Sequence, residues 1–285
     1  MTGDAASISL VNGREIDLLS VYDRGLLYGD GLFETIAVRK AQPCFWDRHM
    51  ARLTAGAGRL GITSPETGLL LGEVRRLLKN RDQAVLKIII TRGAGGRGYQ
   101  ASESLQPTRI VQVFPWRDYP ERYATDGIRA RICNLRLGNN PALAGIKHLN
   151  RLEQVLARQE WNDPGIMEGL MMDAGGYLVE GTMSNLFLVR DRTLITPDLS
   201  GCGVAGIMRG IILDLASQRN IASSIRMCSL DDLKEADEVF ITNSLIGIWP
   251  VRQIEDWQYQ PNNLSKKLLD MVHNATDHNF EEHAG

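Results

Sequence analysis

The chain has 285 residues, 44% hydrophobic and 23% charged, which suits a globular protein with one large or two medium cores. Its net charge of −2 offers no basic field for nucleic acid or an anionic membrane, and no stretch nears the roughly 18 apolar residues that span a bilayer. The opening MTGDAASISL lacks the basic start and long apolar core of a secretory leader, and Cys44, Cys133, Cys202 and Cys228 stand far apart without metal-ligand spacing, so a reduced, cytoplasmic protein with no bound metal is expected.

In chain order, Ser7–Val11 and Arg14–Asp17 flank Asn12-Gly13 and predict a hairpin. Leu32–Arg39 reads as a strand and Asp47–Leu60 as a helix, and Ser64-Pro65 predicts the start of a second helix reaching Lys79. Val85–Thr91 and Arg109–Phe114 are rich in Ile and Val and read as strands. The stretch 115–122, PWRDYPER, is the natural linker between a smaller domain over 1–114 and a larger one over 123–285. Beyond it the pattern predicts a strand at Ile128–Leu135 and a helix at His148–Trp161. A hairpin follows, from Gly169–Asp173 through Gly175-Gly176 into Tyr177–Val189. An amphipathic helix at Gly206–Gln218, a capping box at Ser229/Asp232, a strand at Val239–Thr242 and a last helix at Leu264–Asn274 complete an α+β chain.

Four segments have the residue types for chemistry. Gly93–Gly98 satisfies G-x-G-x-x-G after a strand, but the polar stretch Gln100–Pro107 ends in proline where a dinucleotide site needs a helix; the segment reads as a loop presenting Arg97 and Tyr99. Lysine is scarce, seven against twenty-five arginines, and Lys147 stands between a small-residue loop and a predicted helix. A desolvated amine there would be nucleophilic, although by periodicity alone Lys147 reads as a surface lysine at a helix start. Glu180 lies in a predicted strand among apolar neighbours, where it is either a buried carboxylate in need of a partner or an exposed edge residue. Gly203–Arg209 runs from a glycine turn into a helix, as an anion site would, and Thr242–Ser244 adds donors after a strand; a glycine-flanked helix start that binds nothing looks the same.

The order of these segments is more specific than any one of them. Gly29-Asp-Gly-Leu-Phe-Glu-Thr35, His49-Met-Ala-Arg52-Leu, Lys147, Glu180, the 203–209 turn and Asn243-Ser244 together resemble the fold-type IV pyridoxal phosphate (PLP) enzymes, over nearly the whole chain. Within that family, RGAGGRGY at 92–99 and the 137–153 segment are most similar to the 4-amino-4-deoxychorismate lyase branch. The Phe33-Glu34-Thr35 triplet occurs in the aminotransferase branches too, and D-amino or branched-chain transamination is the alternative activity.

The resemblance implies a two-domain α+β fold, a homodimer and PLP as cofactor. It makes Lys147 the cofactor's anchor and the acid/base, and Glu180 the partner of the pyridine nitrogen. Arg52, Ile207, Met208 and Ser244 become the phosphate ligands, and Tyr28 and Arg136 neighbours of the ring. Thr35, Arg97, Tyr99 and Asn243 match the substrate side, with Thr35 joining Lys147 in catalysis.

Overall fold

The structure is a computed structural model that describes residues 7–102, 105–260 and 263–281. Residues 1–6 of the opening MTGDAASISL and residues 103–104 of the polar stretch after the glycine-rich loop lie outside the described residues. Two compact units divide the chain, one of Met1–Asp118, Ile146–Asn150 and His278–Gly285, the other of Tyr119–Gly145 and Arg151–Asp277. The change of unit after Asp118 falls within 115–122, whereas no sequence pattern marks Ile146–Asn150 as returning to the first unit.

The first unit contains β1 (Ile8–Val11), α1 (Arg24–Tyr28), β2 (Gly31–Arg39), β3 (Gln42–Pro43), α2 (Trp46–Leu60), α3 (Thr67–Leu77), β4 (Ala84–Thr91) and β5 (Thr108–Pro115). Its strands form an antiparallel sheet in the order β1-β5-β4-β2-β3. Alternation turns Leu32, Ile36, Val38, Leu86, Ile88 and Ile90 to one face, where Met50 and Leu53 of α2 and Leu70 and Val74 of α3 cover them. Glu34 occupies that same face between Leu32 and Ile36, so its carboxylate is buried and must be paired.

Two expectations need correction here. The hairpin at Asn12-Gly13 shrinks to one bridge, Val11 to Arg14, because Asn12 exchanges hydrogen bonds with Arg109 and extends the β1–β5 pairing instead. Helix α3 starts after Glu66, not at Ser64, whose hydroxyl donates to the Pro65 carbonyl rather than capping the helix, and it ends at Leu77.

The second unit contains α4 (Arg122–Thr125), β6 (Ile128–Leu137), α5 (Leu152–Arg158), β7 (Ile166–Asp173), β8 (Leu178–Gly181), β9 (Asn185–Arg190), β10 (Thr193–Pro197), α6 (Ile207–Gln218), β11 (Ser223–Arg226), α7 (Leu230–Lys234), β12 (Glu238–Asn243), β13 (Gly247–Ile254) and β14 (Trp257–Gln258); α8 (Asn263–Glu281) ends the described chain. The sheet runs β11-β10-β9-β12-β13-β6-β7-β8, and β8 also pairs with β9, so the path closes like a barrel around Leu170, Leu186, Leu188, Ile241 and Trp249. Strands β10, β11, β13 and β14 carry no strand signal recognised in the sequence.

The predicted Tyr177–Val189 strand is two, β8 and β9, with a break at Thr182–Ser184. Buried Glu168 on β7 causes it, by accepting from the Thr182 amide and hydroxyl (3.0 and 2.6 Å) and the Ser184 hydroxyl (2.7 Å). Burial raises the Glu168 pKa, and these hydrogen bonds oppose the rise. The predicted helix His148–Trp161 contracts to Leu152–Arg158, because the backbone of Lys147 and Leu149 pairs with β2: Phe33 N–H donates to the Lys147 carbonyl and Leu149 N–H to that of Gly31, both at 2.9 Å. The capping box at Ser229/Asp232 forms as predicted. No helix among the described residues is long and apolar enough to cross a membrane.

Candidate active site

In the first unit Lys147 stands in extended backbone alongside β2 rather than at a helix start. Its Nζ lies 4.5 Å from the centre of the Phe33 ring, and Lys87 Nζ approaches the same ring at 5.3 Å. Thr35 shares the Phe33 face of β2 by alternation and is in register with Lys87 on β4. Nothing in the linear pattern singles out Lys87; only the pairing of β2 with β4 brings it here.

Behind this face is a buried charge cluster that the motif order alone does not reveal. Arg52, on α2, donates through Nε to Glu34 Oε1 at 2.8 Å and through Nη2 to Oε2 at 2.5 Å, a bidentate fork. His49, one turn earlier, meets Glu34 Oε2 through Nδ1 at 2.6 Å. Burial works to raise the Glu34 pKa, but the hydrogen bonds of His49 and Arg52 outweigh it and hold the carboxyl below its ordinary value. Burial also pushes His49 down, helped by the nearby charges of Arg52 and Lys147, against the pull of Glu34. A charged Glu34 facing a neutral His49 assigns the imidazole proton to Nδ1, since the carboxylate can only accept. The arrangement holds Arg52 rigidly, and the strand alternation that buries position 34 is the signal that predicts it.

Tyr28 closes α1, and its hydroxyl accepts from the Gly98 amide at 3.2 Å, with its ring 5.6 Å from that of Tyr99. Arg97 and Tyr99 are exposed on the 93–99 loop, which leads from β4 toward β5 with no dinucleotide-type helix after it among the described residues.

In the second unit Glu180 is buried at the β8 position paired with Asn185. Its Oε2 accepts from the Val204 amide at 2.8 Å and its Oε1 from Gln154 Nε2 at 3.2 Å. Of the two readings open in the sequence, the structure selects the buried carboxylate. Asn185 donates through Nδ2 to the Val204 carbonyl at 2.9 Å, so one pair of opposed residues clasps the 203–206 turn from both sides. That turn leads into α6, whose N-cap Gly206 provides no side-chain acceptor, and the Ile207 and Met208 amides stand at the positive end of the helix.

Asn243 and Ser244 follow β12. Asn243 accepts from the Leu245 and Ile246 amides and donates to the Met183 carbonyl, which ties its turn to the 182–184 break. Arg136 folds back onto its own strand, donating to the Cys133 and Asn134 carbonyls. Glu168 and Gln154 support Glu180 and its loop without any motif announcing them.

A Cβ at Gly206 would lie 2.0 Å from Asn185 Oδ1. Gly206→Ala is therefore expected to displace Asn185 from Val204 and cost about 1–3 kcal/mol, read as a lowered melting temperature. An unchanged melt would show that the turn tolerates the group.

Comparison with known proteins places this geometry. The amino-transferase class IV family matches residues 31–254. The aminodeoxychorismate lyase of Vibrio harveyi is 36% identical over 244 residues, covering 86% of this chain and 90% of its own. A putative branched-chain-amino-acid aminotransferase of Methanocaldococcus jannaschii is 33% identical over 255 residues, covering 86% and 87%. The crystal structure of 4-amino-4-deoxychorismate lyase from Pseudomonas aeruginosa superposes with a TM-score of 0.90 at 47% identity, covering 93% of this chain and 98% of that one. With a family match across most of its length and a fold-type IV architecture, this chain belongs to the class IV aminotransferase family of PLP-dependent enzymes.

Proposed function

We propose that the chain is an aminodeoxychorismate lyase, converting 4-amino-4-deoxychorismate to 4-aminobenzoate and pyruvate in folate biosynthesis with PLP as cofactor. The observation that carries the cofactor is Glu180, a buried carboxylate clasped by Val204 N–H at the turn into α6. The lyase is chosen over a transaminase because the chain is more like the two lyases named above than the aminotransferase.

The residues suit the group in charge and type. PLP has a phosphate dianion, a pyridine nitrogen and an aldehyde. Arg52, the Ile207 and Met208 amides and Ser244 are donors for the first, Glu180 is an acceptor for the second, and the Lys147 amine answers the third. Bound to the substrate amine, PLP supplies an electron sink for the bond broken at the amine-bearing carbon.

Glu180 keeps the pyridine nitrogen protonated and so keeps that sink open. Lys147, the amine that would anchor the cofactor, would also take the proton from the amine-bearing carbon of the substrate. Thr35, on the Phe33 face, is its partner in this step. In this reading Arg97, Tyr99 and Asn243 are substrate contacts, with Arg97 suited to a substrate carboxylate, and Tyr28 and Arg136 are neighbours of the ring. Aromatisation favours loss of the enolpyruvyl group, so the enzyme's work is to position and deprotonate.

The test supplies aminodeoxychorismate to purified holoenzyme and follows pyruvate and 4-aminobenzoate, with Arg97→Ala alongside. Both products should form together, and Arg97→Ala should raise KM about 10- to 100-fold, as loss of a charged contact of about 1.5–3 kcal/mol implies. If no pyruvate appears while an amino acid and a keto acid exchange nitrogen, the chain is a transaminase.

A cytoplasmic homodimer is part of the same proposal. Among the described residues the cysteines form no disulfide, consistent with a reducing compartment. Leu18, Val21, Tyr22 and Leu26 of the first unit are each more than 60% exposed, an apolar surface that a second copy would cover. Leu26→Asp with Val21→Asp should halve the mass measured by light scattering; a wild-type chain that runs as a monomer would remove the dimer.

A further inference from the structure

We propose that Arg24, which no motif reading assigns, is the positioning residue that orders the Arg97 loop for substrate. The inference rests on the reading of Arg97 as a carboxylate ligand and goes beyond it.

Arg24 is almost wholly buried, and every nitrogen of its guanidinium is engaged. Nε donates to Asp30 Oδ2 at 2.9 Å, Nη1 to the Gly98 carbonyl at 2.8 Å and Nη2 to the Tyr99 carbonyl at 2.9 Å. The fork therefore grips the two residues that follow Arg97, while its third contact fixes it to the Gly29-Asp30-Gly31 turn before β2.

Among the described residues the loop has its other tip contacts from Tyr28. Its base is sewn in by backbone: Arg24 N–H to the Gly93 carbonyl, Gly95 N–H to the Tyr22 carbonyl, and Gly93 N–H to the Thr91 hydroxyl. At Gly96 and Gly98 the side-chain positions face open space, with nothing among the described residues within 4 Å of a Cβ built there. Among the described residues the tip is held by the Arg24 fork, by the Tyr28 hydroxyl, which accepts from Gly98 N–H, and by the Tyr28 ring against that of Tyr99. Glycines at 93, 95, 96 and 98 raise the entropy of an untethered tip, so tethering its carbonyls decides how much of the Arg97 contact survives ordering.

Asp30 also serves a second arginine with a different task. Arg92 donates to both Asp30 oxygens and, through Nη1 and Nη2, to the Gly61 and Leu60 carbonyls at the end of α2. Two arginines on one carboxylate thus hold two different elements, Arg24 the loop and Arg92 the helix that carries Arg52. Burial works to raise the Asp30 pKa, yet the two guanidinium groups hold it below the ordinary carboxylate value, so the hub stays charged.

A purely structural buried arginine would lower stability without a preference between KM and kcat, and the test separates these. Lysine at 24 keeps the charge opposite Asp30 but cannot fork onto two carbonyls. In the holoenzyme, Arg24→Lys is expected to raise KM for aminodeoxychorismate roughly tenfold and leave kcat and the cofactor absorbance within about twofold, since misplacement of a binding group acts on substrate capture. Hydrogen exchange of the peptide spanning Gly93–Ser102 should quicken in the free enzyme. Arg92→Lys should lower the melting temperature but leave KM within about twofold.

On an Arg97→Ala background, Arg24→Lys should add less than about twofold to KM, because both act through one contact. Full additivity of the two, or unchanged loop exchange in Arg24→Lys, overturns the role of Arg24 while leaving the lyase reading intact. An unchanged KM in Arg97→Ala itself overturns the carboxylate reading, and the inference with it. If Arg24→Lys does not fold, Tyr28→Phe removes the hydroxyl tether of Gly98 and should quicken loop exchange in the same peptide; unchanged exchange there overturns the tethered tip.

Discussion

Lys147→Ala is expected to lower kcat/KM of the proposed lyase reaction by about 10³–10⁴-fold, the upper range for losing a positioned acid/base, while the protein remains folded. The structural reason lies in how position 147 is held. Both hydrogen bonds that fix the 147–149 segment, from Phe33 N–H to the Lys147 carbonyl and from Leu149 N–H to the Gly31 carbonyl, are main-chain and survive the substitution. Among the side chain's contacts, the one with the Phe33 ring is worth about 0.5–1 kcal/mol at a partly exposed site, a loss that by itself lowers the melting temperature by a few degrees. Borohydride treatment with PLP should label wild type and not the variant. Activity within tenfold of wild type would remove Lys147 from the chemistry.

Glu34→Ala should have the largest effect on stability. It leaves the Arg52 guanidinium, only 14% exposed, without its carboxylate, and removes the acceptor of a fully buried His49. Breaking a buried pair from one side costs about 3–5 kcal/mol, to be read by denaturant unfolding. Cofactor affinity should fall too, since Arg52 loses the fork that aims it. Glu34→Gln, which keeps the shape, should cost less.

The pH dependence has a defined sign. The folded-state pKa of Glu34 lies below its ordinary 4.5, so its contribution is present above that value and lost as pH falls through the folded pKa. His49 is likewise lowered from 6.5, and protonation in the unfolded chain begins to erode stability below that pH. Both effects weaken the protein in acid and neither does so in mild base. The gap between wild type and Glu34→Gln should therefore narrow below about pH 4.5, and a gap that widens there would contradict the charge assignment.

Much of the secondary structure was legible because its cause is local. β2, β4 and β5 announce themselves by Ile and Val content, α6 by its apolar spacing and α7 by its capping box. The errors sit where a distant partner overrides a local preference. The helix expected from His148 starts only at Leu152 because 147–149 pairs with β2, and the strand expected through 177–189 breaks because Glu168 collects the donors of Thr182 and Ser184. Asn12-Gly13 turns as expected, yet its second strand never forms, since β5 offers Asn12 a better ladder.

The candidate site divides in the same way. By itself the sequence determined the family, because the order of Gly29–Thr35, Arg52, Lys147, Glu180 and Gly203–Arg209 is one-dimensional information. It left open whether Lys147 was a surface lysine and whether Glu180 was buried. Only the tertiary structure decided that Lys147 lies in extended backbone over Phe33 and that Glu180 is buried on the Val204 amide. It alone revealed the partners: Glu34 and His49 behind Arg52, and Arg24 behind Arg97. The physical reason is that a motif records which groups meet the ligand, whereas the groups that aim them are chosen by strand pairing and helix packing across tens of residues. Buried charges must find partners wherever the fold brings them, and local sequence does not encode that distance.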